Sequence, residues 1–509
     1  MLSRVMSGAV LGLDAYPVEV EVDIANGLPA FSIVGLPDAA VKESKDRVQA
    51  ALKNSGLPFP VKRITVNLAP ADVRKEGSAF DLPAAVGILV ADGIVPESAA
   101  EGMMVVGELA LDGRVKPVRG ALSLAILAEK SDNVRGLVVP RENGREAAVC
   151  AGVAVYGVSS LAELIAFMRG DADDLRVKPD ITPLAVAPGT APDFAEVTGQ
   201  AFAKRALEVA AAGGHNVLMV GPPGSGKSML ARRMAGILPP LELPEAIDVT
   251  RVHSVAGMLS GGQGLVGERP YRAPHHTISD VGLIGGGAVP RPGEVSLSNH
   301  GVLFLDELPE FRRPALEVLR QPLEDGTVTI SRAAASLSYP ARFILVAAMN
   351  PCPCGYLTDP SRDCRCTPRE VSRYRGRISG PLLDRIDLHV DVPAVPVGEL
   401  MGRTREEPSE AIAKRVAAAR ERQRARLGGV RPNATMGTEE VNRHCALDAR
   451  GEGILRQAVA RLGLSARAFH RTLKVARTIA DLEGAETVGA GHVAEAIQYR
   501  QPDTGVRSA

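Results

Sequence analysis

One segment constrains this chain more than any other, because it matches the phosphate-loop pattern G-x-x-x-x-G-K-[ST] without deviation. The apolar run 216–220 before it is typical of a buried strand, and the run 229–234 continues as a helix. A glycine-rich turn between strand and helix directs N–H groups and the helix dipole at an anion. Lys227 is expected to bind the β- and γ-phosphates, and Ser228 to ligate Mg²⁺. The sequence thus predicts an ATP site formed by Gly221, Pro222, Pro223, Gly224, Ser225, Gly226, Lys227 and Ser228.

Polar residues expected to support hydrolysis stand at the ends of two further predicted strands. The apolar run 301–305 ends in Asp306, which would bind Mg²⁺, and Glu307, which would polarise the attacking water. The alternative is an acidic pair that caps a helix. A third run, 342–349, ends at Asn350, which is placed to orient the water or to sense the γ-phosphate.

This ordered set of motifs resembles the AAA+ ATPases, and in particular their magnesium-chelatase-like branch. The likeness is carried by residues 272–277 (RAPHHT), 292–307 (PGEVSLSNHGVLFLDE) and 382–385 (LLDR). With its flanking regions, the chain resembles the YifB/ComM family over nearly all of its 509 residues. The resemblance implies a Mg²⁺-dependent ATPase that assembles as a hexameric ring. In such a ring, Arg385 is expected to reach the nucleotide of a neighbouring subunit.

A glycine-rich stretch, 256–293, occupies the place of a pore-facing insert in that branch. It contains His275 and His276, which could resemble a metal-binding pair. Adjacent side chains diverge and no third ligand is evident, so we interpret them as loop contacts to a partner or a nucleotide neighbour.

A chain of 509 residues is expected to contain more than one domain. We predict an α/β domain at 1–168, a proline-rich linker at 169–191, an α/β AAA+ core at 192–395 and a helical lid at 396–509. The net charge of +0 argues against a generally basic nucleic-acid binder without excluding a basic ring pore. Since no signal peptide and no membrane-spanning stretch is visible, a cytoplasmic protein is expected.

The first domain resembles the Lon protease fold through residues 107–118, and residues 75–79 are similar to the segment that holds the Lon serine nucleophile. A serine–lysine dyad needs a lysine to deprotonate the serine. Leu122 stands where the Lon pattern has that lysine, and Lys116 lies six positions earlier. We therefore expect a non-proteolytic domain in which Ser78 is a structural loop residue.

Four cysteines follow Asn350 within fifteen residues, and they could surround one Zn²⁺ ion tetrahedrally: Cys352, Cys354, Cys364 and Cys366. Their spacing is C-x-C rather than the usual C-x-x-C, so reduced structural thiols and a disulfide stay open as alternatives. A metal ion bound here would hold a loop in place beside Asn350 and would take no part in catalysis.

The C-terminal region carries two helical patterns rich in arginine. The run 410–427, with Ser409 as its predicted N-cap, is interpreted as a solvated face or a nucleic-acid contact through Arg415, Arg420, Arg422, Arg424 and Arg426. The run 465–480 resembles the AAA+ lid helix whose early arginine senses the nucleotide. We assign this sensor role to Arg467, with Arg471 as the alternative.

Three functions stay open, because the motifs do not name a substrate. Family resemblance implies a ring motor on DNA, with branch migration or helicase action in recombination of incoming single-stranded DNA during natural transformation. The second candidate function is that of a chelatase subunit that drives Mg²⁺ insertion into a porphyrin. The third is that of an ATP-dependent protease or a regulatory docking module. The DNA motor is favoured, since a chelatase subunit is expected to resemble only residues 192–503 and Leu122 argues against proteolysis.

Overall fold

The computed structural model describes residues 1–171, 174–179, 192–287, 290–331, 336–359, 361–396 and 406–500. Their α/β architecture contains two large sheets and a helical C-terminal region, which confirms the predicted mixed, multidomain fold class. Parts of the predicted domain scheme lie outside these ranges: 172–173 and 180–191 of the linker, 288–289, 332–335 and 360 of the core, and 397–405 and 501–509 of the lid. The likeness of the first domain to Lon protease stays a prediction.

The first domain is built on a seven-stranded sheet that mixes parallel and antiparallel pairs. Its strand Asp14–Ala25 alternates buried Val or Ile with acidic residues, so one face is directed into the core. Across the sheet, the strands are Ala30–Val34, Arg63–Ala69, Asp14–Ala25, Leu2–Leu11, Met103–Val105, Gly136–Pro140 and Ala154–Val158. A separate antiparallel pair joins Glu108–Leu109 to Val115–Lys116.

Helix Asp81–Ala91 is buried along its whole length because its residues are almost all apolar and it packs on the two longest strands. The other helices of this domain are Ala39–Lys42, Ser44–Asn54, Glu97–Ala100, Ala121–Lys130, Gly144–Ala147 and Leu161–Arg169, with a 3-10 turn at Arg141–Asn143. Beyond them the chain returns to the sheet, where the N–H of Val177 donates to the carbonyl of Val155 at 2.8 Å. The start of the predicted linker thus extends the domain.

The second sheet has five strands, all parallel, in the order Tyr271–Arg272, Val302–Leu305, Ile344–Met349, Val217–Val220 and Leu388–Asp391. The inner strands are continuous apolar runs, as expected where helices cover both faces. The carboxyl ends of parallel strands meet at one edge, which is where ligands bind in such sheets. The segments after Val220, Leu305 and Met349 therefore lie together.

The helices of this core are Ala201–Gly213, Lys227–Ile237, Leu243–Ala256, Asp280–Ile284, Glu294–Leu297, Arg313–Glu317, Arg320–Asp325, Pro368–Arg375 and Gly380–Leu383. Two 3-10 turns, Phe194–Glu196 and Leu308–Glu310, accompany them. Two antiparallel strand pairs accompany the main sheet: Gly285–Gly286 with Arg291–Pro292, and Thr327–Ser331 with Ser336–Pro340.

The C-terminal region contains the helices Ser409–Leu427, Thr438–His444, Ala449–Leu462, Ala466–Glu483 and Ala490–Gln498, with a 3-10 turn at Asn433–Thr435. They share one hydrophobic cluster with the central sheet of the core. No helix in the described ranges has the length and apolar character needed to cross a membrane.

Helix Ser409–Leu427 keeps an exposed face that includes Arg422 and Arg424, and a nucleic-acid contact there stays a prediction. All five of its arginines make contacts within the chain, because the helix lies between the core helix Ala201–Gly213 and the lid. Arg420 donates to the carbonyl of Ala211 at 3.0 Å, and Arg426 to Asp481 at 2.6 Å. Arg415 contacts Glu208 and Glu407, Arg422 the Asp481 carbonyl, and Arg424 Glu242.

The first domain packs directly on the core helix Leu243–Ala256. One hydrophobic cluster combines Leu122 of the first domain with Ala246 and Val249 of that helix. The buried carboxyl of Glu146 accepts hydrogen bonds from the Leu122 N–H at 2.9 Å and from the Ser254 hydroxyl. The two domains are therefore joined by a buried interface as well as by the connecting segment.

Candidate functional site

The phosphate loop joins strand Val217–Val220 to helix Lys227–Ile237. Gly224 and Gly226 have φ of 78° and 91°, which only glycine adopts at low cost. A Cβ added at either residue meets no atom within 4 Å, so the space above the loop is open to a ligand. At Gly221, a Cβ would lie 2.0 Å from the carbonyl oxygen of Val392, so the close approach of two backbone segments requires glycine.

Lys227 begins the helix, and its ammonium group is held inside the loop. Its Nζ donates to the carbonyls of Gly221 at 2.7 Å and Pro222 at 2.9 Å, and lies 3.4 Å from Oδ1 of Asn350. Burial lowers the pKa of Lys227, and the nearby carboxylate of Asp306 opposes that shift. Phosphate oxygens would give this partly desolvated cation stronger partners than carbonyl groups do.

The oxygen atoms expected to hold Mg²⁺ lie side by side. The Ser228 hydroxyl donates to Oδ2 of Asp306 at 2.7 Å, and Oδ1 of the same carboxylate accepts the N–H of Glu307 at 2.9 Å. A hydroxyl and a carboxylate next to a phosphate-binding loop match the oxygen ligands that Mg²⁺ prefers. The residues present thus fit a Mg²⁺–ATP complex.

Glu307 follows Asp306 in the left-handed backbone region, with φ of 52°. This conformation brings its side chain to His276, whose Nδ1 lies 3.2 Å from Oε2 of Glu307. The ring of His276 also stacks on that of His275, at 4.1 Å between centroids. The sequence interpretation gave His276 as a loop contact to a partner or a nucleotide neighbour. Its position four residues after the edge strand Tyr271–Arg272 was the signal for a place in the site.

Two amides complete this edge of the sheet. Asn350 comes directly after strand Ile344–Met349 and faces Lys227, as its position after a strand predicts. Gln200 comes directly before helix Ala201–Gly213, and its Nε2 donates to the carbonyls of Ser225 at 3.1 Å and Pro393 at 2.7 Å. The predicted residues of the phosphate loop, the acidic pair and Asn350 thus lie together, while their roles stay predictions.

The structure places the other predicted arginines elsewhere, around a cavity of about 330 Å³ that no described phosphate-loop residue lines. Arg385 is buried and pairs with Glu324, and its Nη1 donates to the Pro381 carbonyl at 2.7 Å. Arg471 donates to the carbonyl of Arg385 at 2.8 Å and is paired with Asp387. Arg467 is exposed, and within the described ranges its guanidinium has no hydrogen-bond partner. Arg467 is therefore freer than Arg471 to contact a phosphate.

The four clustered cysteines converge on one point beside Asn350. Their sulfur atoms all lie within 4.8 Å of one another, and in the described ranges they form the one group of His, Cys, Asp or Glu side chains that could hold a metal ion. The backbone N–H of Tyr356 donates to the Cys354 sulfur and lowers the pKa of that thiol to about 6. All four cysteines are free thiols, so the disulfide alternative finds no support among them.

In the described part of the first domain, the Ser78 hydroxyl contacts a carboxylate and not the lysine that a Lon-type nucleophile needs. Its hydroxyl and the ammonium group of Lys116 both contact the same carboxylate, that of Glu108, with Lys116 at 3.4 Å. Leu122 is fully buried in the interface with the core. The geometry is that of a structural polar cluster.

Ser78→Ala is expected to leave ATPase activity unchanged, because the hydroxyl has a structural role and Ala removes one part-buried polar contact. The wild-type protein should cleave no fluorogenic peptide or casein, with or without ATP. ATP-stimulated cleavage that disappears in Ser78→Ala would contradict this prediction.

Family models match the chain in three consecutive segments. The model described as subunit ChlI of Mg-chelatase matches residues 20–143, magnesium chelatase subunit ChlI matches 193–400, and its C-terminal model matches 406–500. The expectation that likeness to a chelatase is confined to 192–503 is therefore wrong, since a chelatase model also matches within the first domain.

Individual relatives differ in how much of the chain they cover. Competence protein ComM of Haemophilus influenzae is 44% identical over 503 residues, which are 98% of this chain and 97% of that protein. The protein YifB of Escherichia coli is 44% identical over 504 residues, 99% and 97% of the two chains. The magnesium-chelatase 38 kDa subunit of Rhodobacter capsulatus is 27% identical over 176 residues, 31% and 50% of the two chains. The chain therefore belongs to the YifB/ComM family of magnesium-chelatase-like AAA+ proteins.

Proposed function

We propose that this protein is a Mg²⁺-dependent ATPase that works in the cytoplasm as a hexameric ring and moves DNA. The reaction on DNA is branch migration or helicase action in recombination during natural transformation. The observation that carries the ATPase part is the convergence of Lys227, Ser228, Asp306, Glu307 and Asn350 at one edge of the parallel sheet.

Each of these residues has a distinct part in the proposed hydrolysis. Lys227 would exchange its carbonyl partners for the β- and γ-phosphates, and Ser228 and Asp306 would hold Mg²⁺. Bound Mg²⁺ would supply positive charge that neutralises the phosphate oxygens. Glu307 would accept the proton of the attacking water, and Asn350 would hold the γ-phosphate or that water in line.

The proposed ring is supported by arginines that lie away from the phosphate loop of their own chain. Arg385 and Arg467 line the cavity of about 330 Å³ together with Glu324. In the proposal this surface meets the nucleotide of the next subunit, where a guanidinium stabilises the charge that develops on the γ-phosphate. Arg385 would then leave Glu324, a residue that is half exposed and can be resolvated at low cost.

DNA is the proposed substrate because the full-length likeness is to a competence protein. ComM of H. influenzae aligns over 98% of this chain, while the chelatase subunit of R. capsulatus aligns over 31%. A chelatase motor is the second candidate, since three chelatase family models match along the chain. A bound Zn²⁺ at Cys352, Cys354, Cys364 and Cys366 completes the proposal, because their sulfur atoms already lie close enough to share one ion.

The test of this function is the ATPase rate of the purified ring, measured alone, with single-stranded DNA and with a four-way junction. We expect stimulation by at least one DNA and none in Lys227→Ala, whose phosphate loop is disabled. Displacement of a labelled strand from the junction should require ATP. An active ATPase that neither DNA stimulates, and that displaces no strand, would remove DNA from the proposal and favour the chelatase type of motor.

His276→Ala is expected to lower kcat for ATP by about 10- to 100-fold with little change in nucleotide affinity, because Glu307 loses the group that positions its carboxylate. His276→Asn should recover part of the rate, since its amide can still donate to Glu307. The matched control is His275→Ala, whose ring nitrogen contacts Thr277 instead, and it should stay near the wild-type rate. Equal losses in the two alanine variants would contradict a positioning role for His276.

A further inference from the structure

The cysteine cluster has the dimensions of a tetrahedral metal site. Sγ of Cys352 lies 3.4 Å from that of Cys354 and 3.6 Å from that of Cys364, and Cys354 and Cys364 are 3.6 Å apart. Four thiolates at about 2.3 Å from one Zn²⁺ ion lie about 3.8 Å from each other. Backbone N–H groups also aim at the sulfurs, from Cys354 to Cys366 and from Cys366 to Cys364, both at 3.4 Å.

This cluster is joined to the ATP site by two contacts. The first is covalent: Cys352, which is fully buried, follows Asn350 after the single residue Pro351. The second is steric: the backbone of Gly355 packs against the phosphate loop. A Cβ added at Gly355 would lie 2.6 Å from Cδ of Pro223 and 3.9 Å from Cγ of Asn350. The loop that the cysteines close thus contacts both the phosphate loop and the predicted sensor.

We propose that one zinc ion on Cys352, Cys354, Cys364 and Cys366 positions the ATP site by holding Gly355 against Pro223 and Asn350 beside Lys227. The inference deepens the proposed function and rests on its assignment of the ATP site. Zinc here is a positioning group, and nucleotide affinity depends on its presence.

The physical reason is that the segment 352–366 has little else to fix it. Apart from Cys352, Gly355 is the one buried residue among the described residues of this segment. In such a segment the free energy of metal binding becomes free energy of local folding. Without the ion, the four cysteines would no longer be tied to one point, and the contact of Gly355 with Pro223 would lose its support.

Two variants test separately the loss of the metal ion and the loss of the contact between Gly355 and Pro223. Cys364→Ser removes one ligand at a distance of fourteen residues from Asn350. Gly355→Ala leaves the four thiols intact but places a methyl group against Pro223, at a residue with φ of 88°. The matched control is Gly463→Ala, where φ is 63° and the added Cβ meets no atom within 4 Å. All three variants are assayed as full-length protein, with circular dichroism to compare their folded content.

The readouts are zinc per chain by elemental analysis and the Kd of a fluorescent ATP analogue, measured without DNA. We expect about one zinc in the wild type and in both glycine variants, and less than half in Cys364→Ser. The Kd should rise at least about tenfold in Cys364→Ser and in Gly355→Ala and stay unchanged in Gly463→Ala.

A zinc-depleted Cys364→Ser protein with wild-type Kd would overturn the inference, and so would Gly355→Ala with wild-type Kd. Wild-type protein that carries no zinc would also overturn it. Since DNA is absent from these assays, a wild type that binds zinc and nucleotide but ignores DNA would refute only the proposed DNA function and leave this inference standing.

Discussion

Glu307→Gln is expected to slow ATP hydrolysis by about 10²–10⁴-fold while nucleotide binding and ring assembly persist. The substitution keeps the shape of the side chain and its left-handed backbone, but an amide cannot accept the proton of the attacking water. Lys227, Ser228 and Asp306 keep their contacts, so the phosphates and Mg²⁺ retain their ligands. Steady-state ATPase and titration with a fluorescent ATP analogue measure the two effects separately.

The matched control for this variant is Glu310→Gln, three residues along the same segment. Glu310 pairs with Arg377 at 2.8 Å on the protein surface, and such exposed pairs contribute little to stability. Its ATPase rate should therefore stay close to that of the wild type. Normal turnover in Glu307→Gln would remove the assignment of this residue as the base.

Arg385→Ala is expected to reduce hydrolysis by about 10³–10⁵-fold and to spare nucleotide binding. A guanidinium of this kind stabilises charge that develops on the γ-phosphate in the transition state, and it contributes little to the ground state. If Arg385 acts on a neighbouring subunit, mixing Arg385→Ala with Lys227→Ala should restore part of the ATPase. In a mixed ring, some interfaces pair an intact phosphate loop with an intact arginine.

The control mixture combines Lys227→Ala with Glu307→Gln. Both changes damage the phosphate-loop side of the same interface, so no arrangement of the two subunits completes a site. Activity in this mixture should stay at the level of its components. If mixed rings of Arg385→Ala and Lys227→Ala form but remain inactive at every ratio, the pairing of Arg385 with Glu324 is structural and the arginine does not act between subunits.

The nucleotide site could be predicted from sequence because its residues stand at the ends of apolar runs. When an apolar strand ends in a polar residue, that side chain lies at the carboxyl edge of the parallel sheet, and its place does not depend on the conformation of the loops. Asp306 and Asn350 follow this rule, and Lys227, predicted from the phosphate-loop pattern, lies beside them. His276 lies four residues beyond a strand of only two residues, Tyr271–Arg272, which is too short to stand out by its pattern.

The features that could not be predicted from sequence depend on contacts between distant segments. Ser409 was predicted as an N-cap, but it is the first residue of its helix, because the carboxylate of Asp193 accepts its N–H at 2.7 Å. The Ser409 hydroxyl in turn accepts the N–H of Phe194 at 2.8 Å. The arginines of the same helix likewise find their partners on other elements. Helical periodicity cannot distinguish such partners from water, since both favour a charged face.

The buried interface at Glu146 and Ser254 attaches the first domain to one helix of the core. That helix, Leu243–Ala256, leads into the glycine-rich stretch expected to face the pore. A domain of this size is about 40 Å across, so a tilt of that helix by about 5° would sweep its far edge through about 3 Å. If the nucleotide cycle of the proposed ATPase tilts this helix, the first domain would move with it, and a partner bound to that domain could follow the cycle.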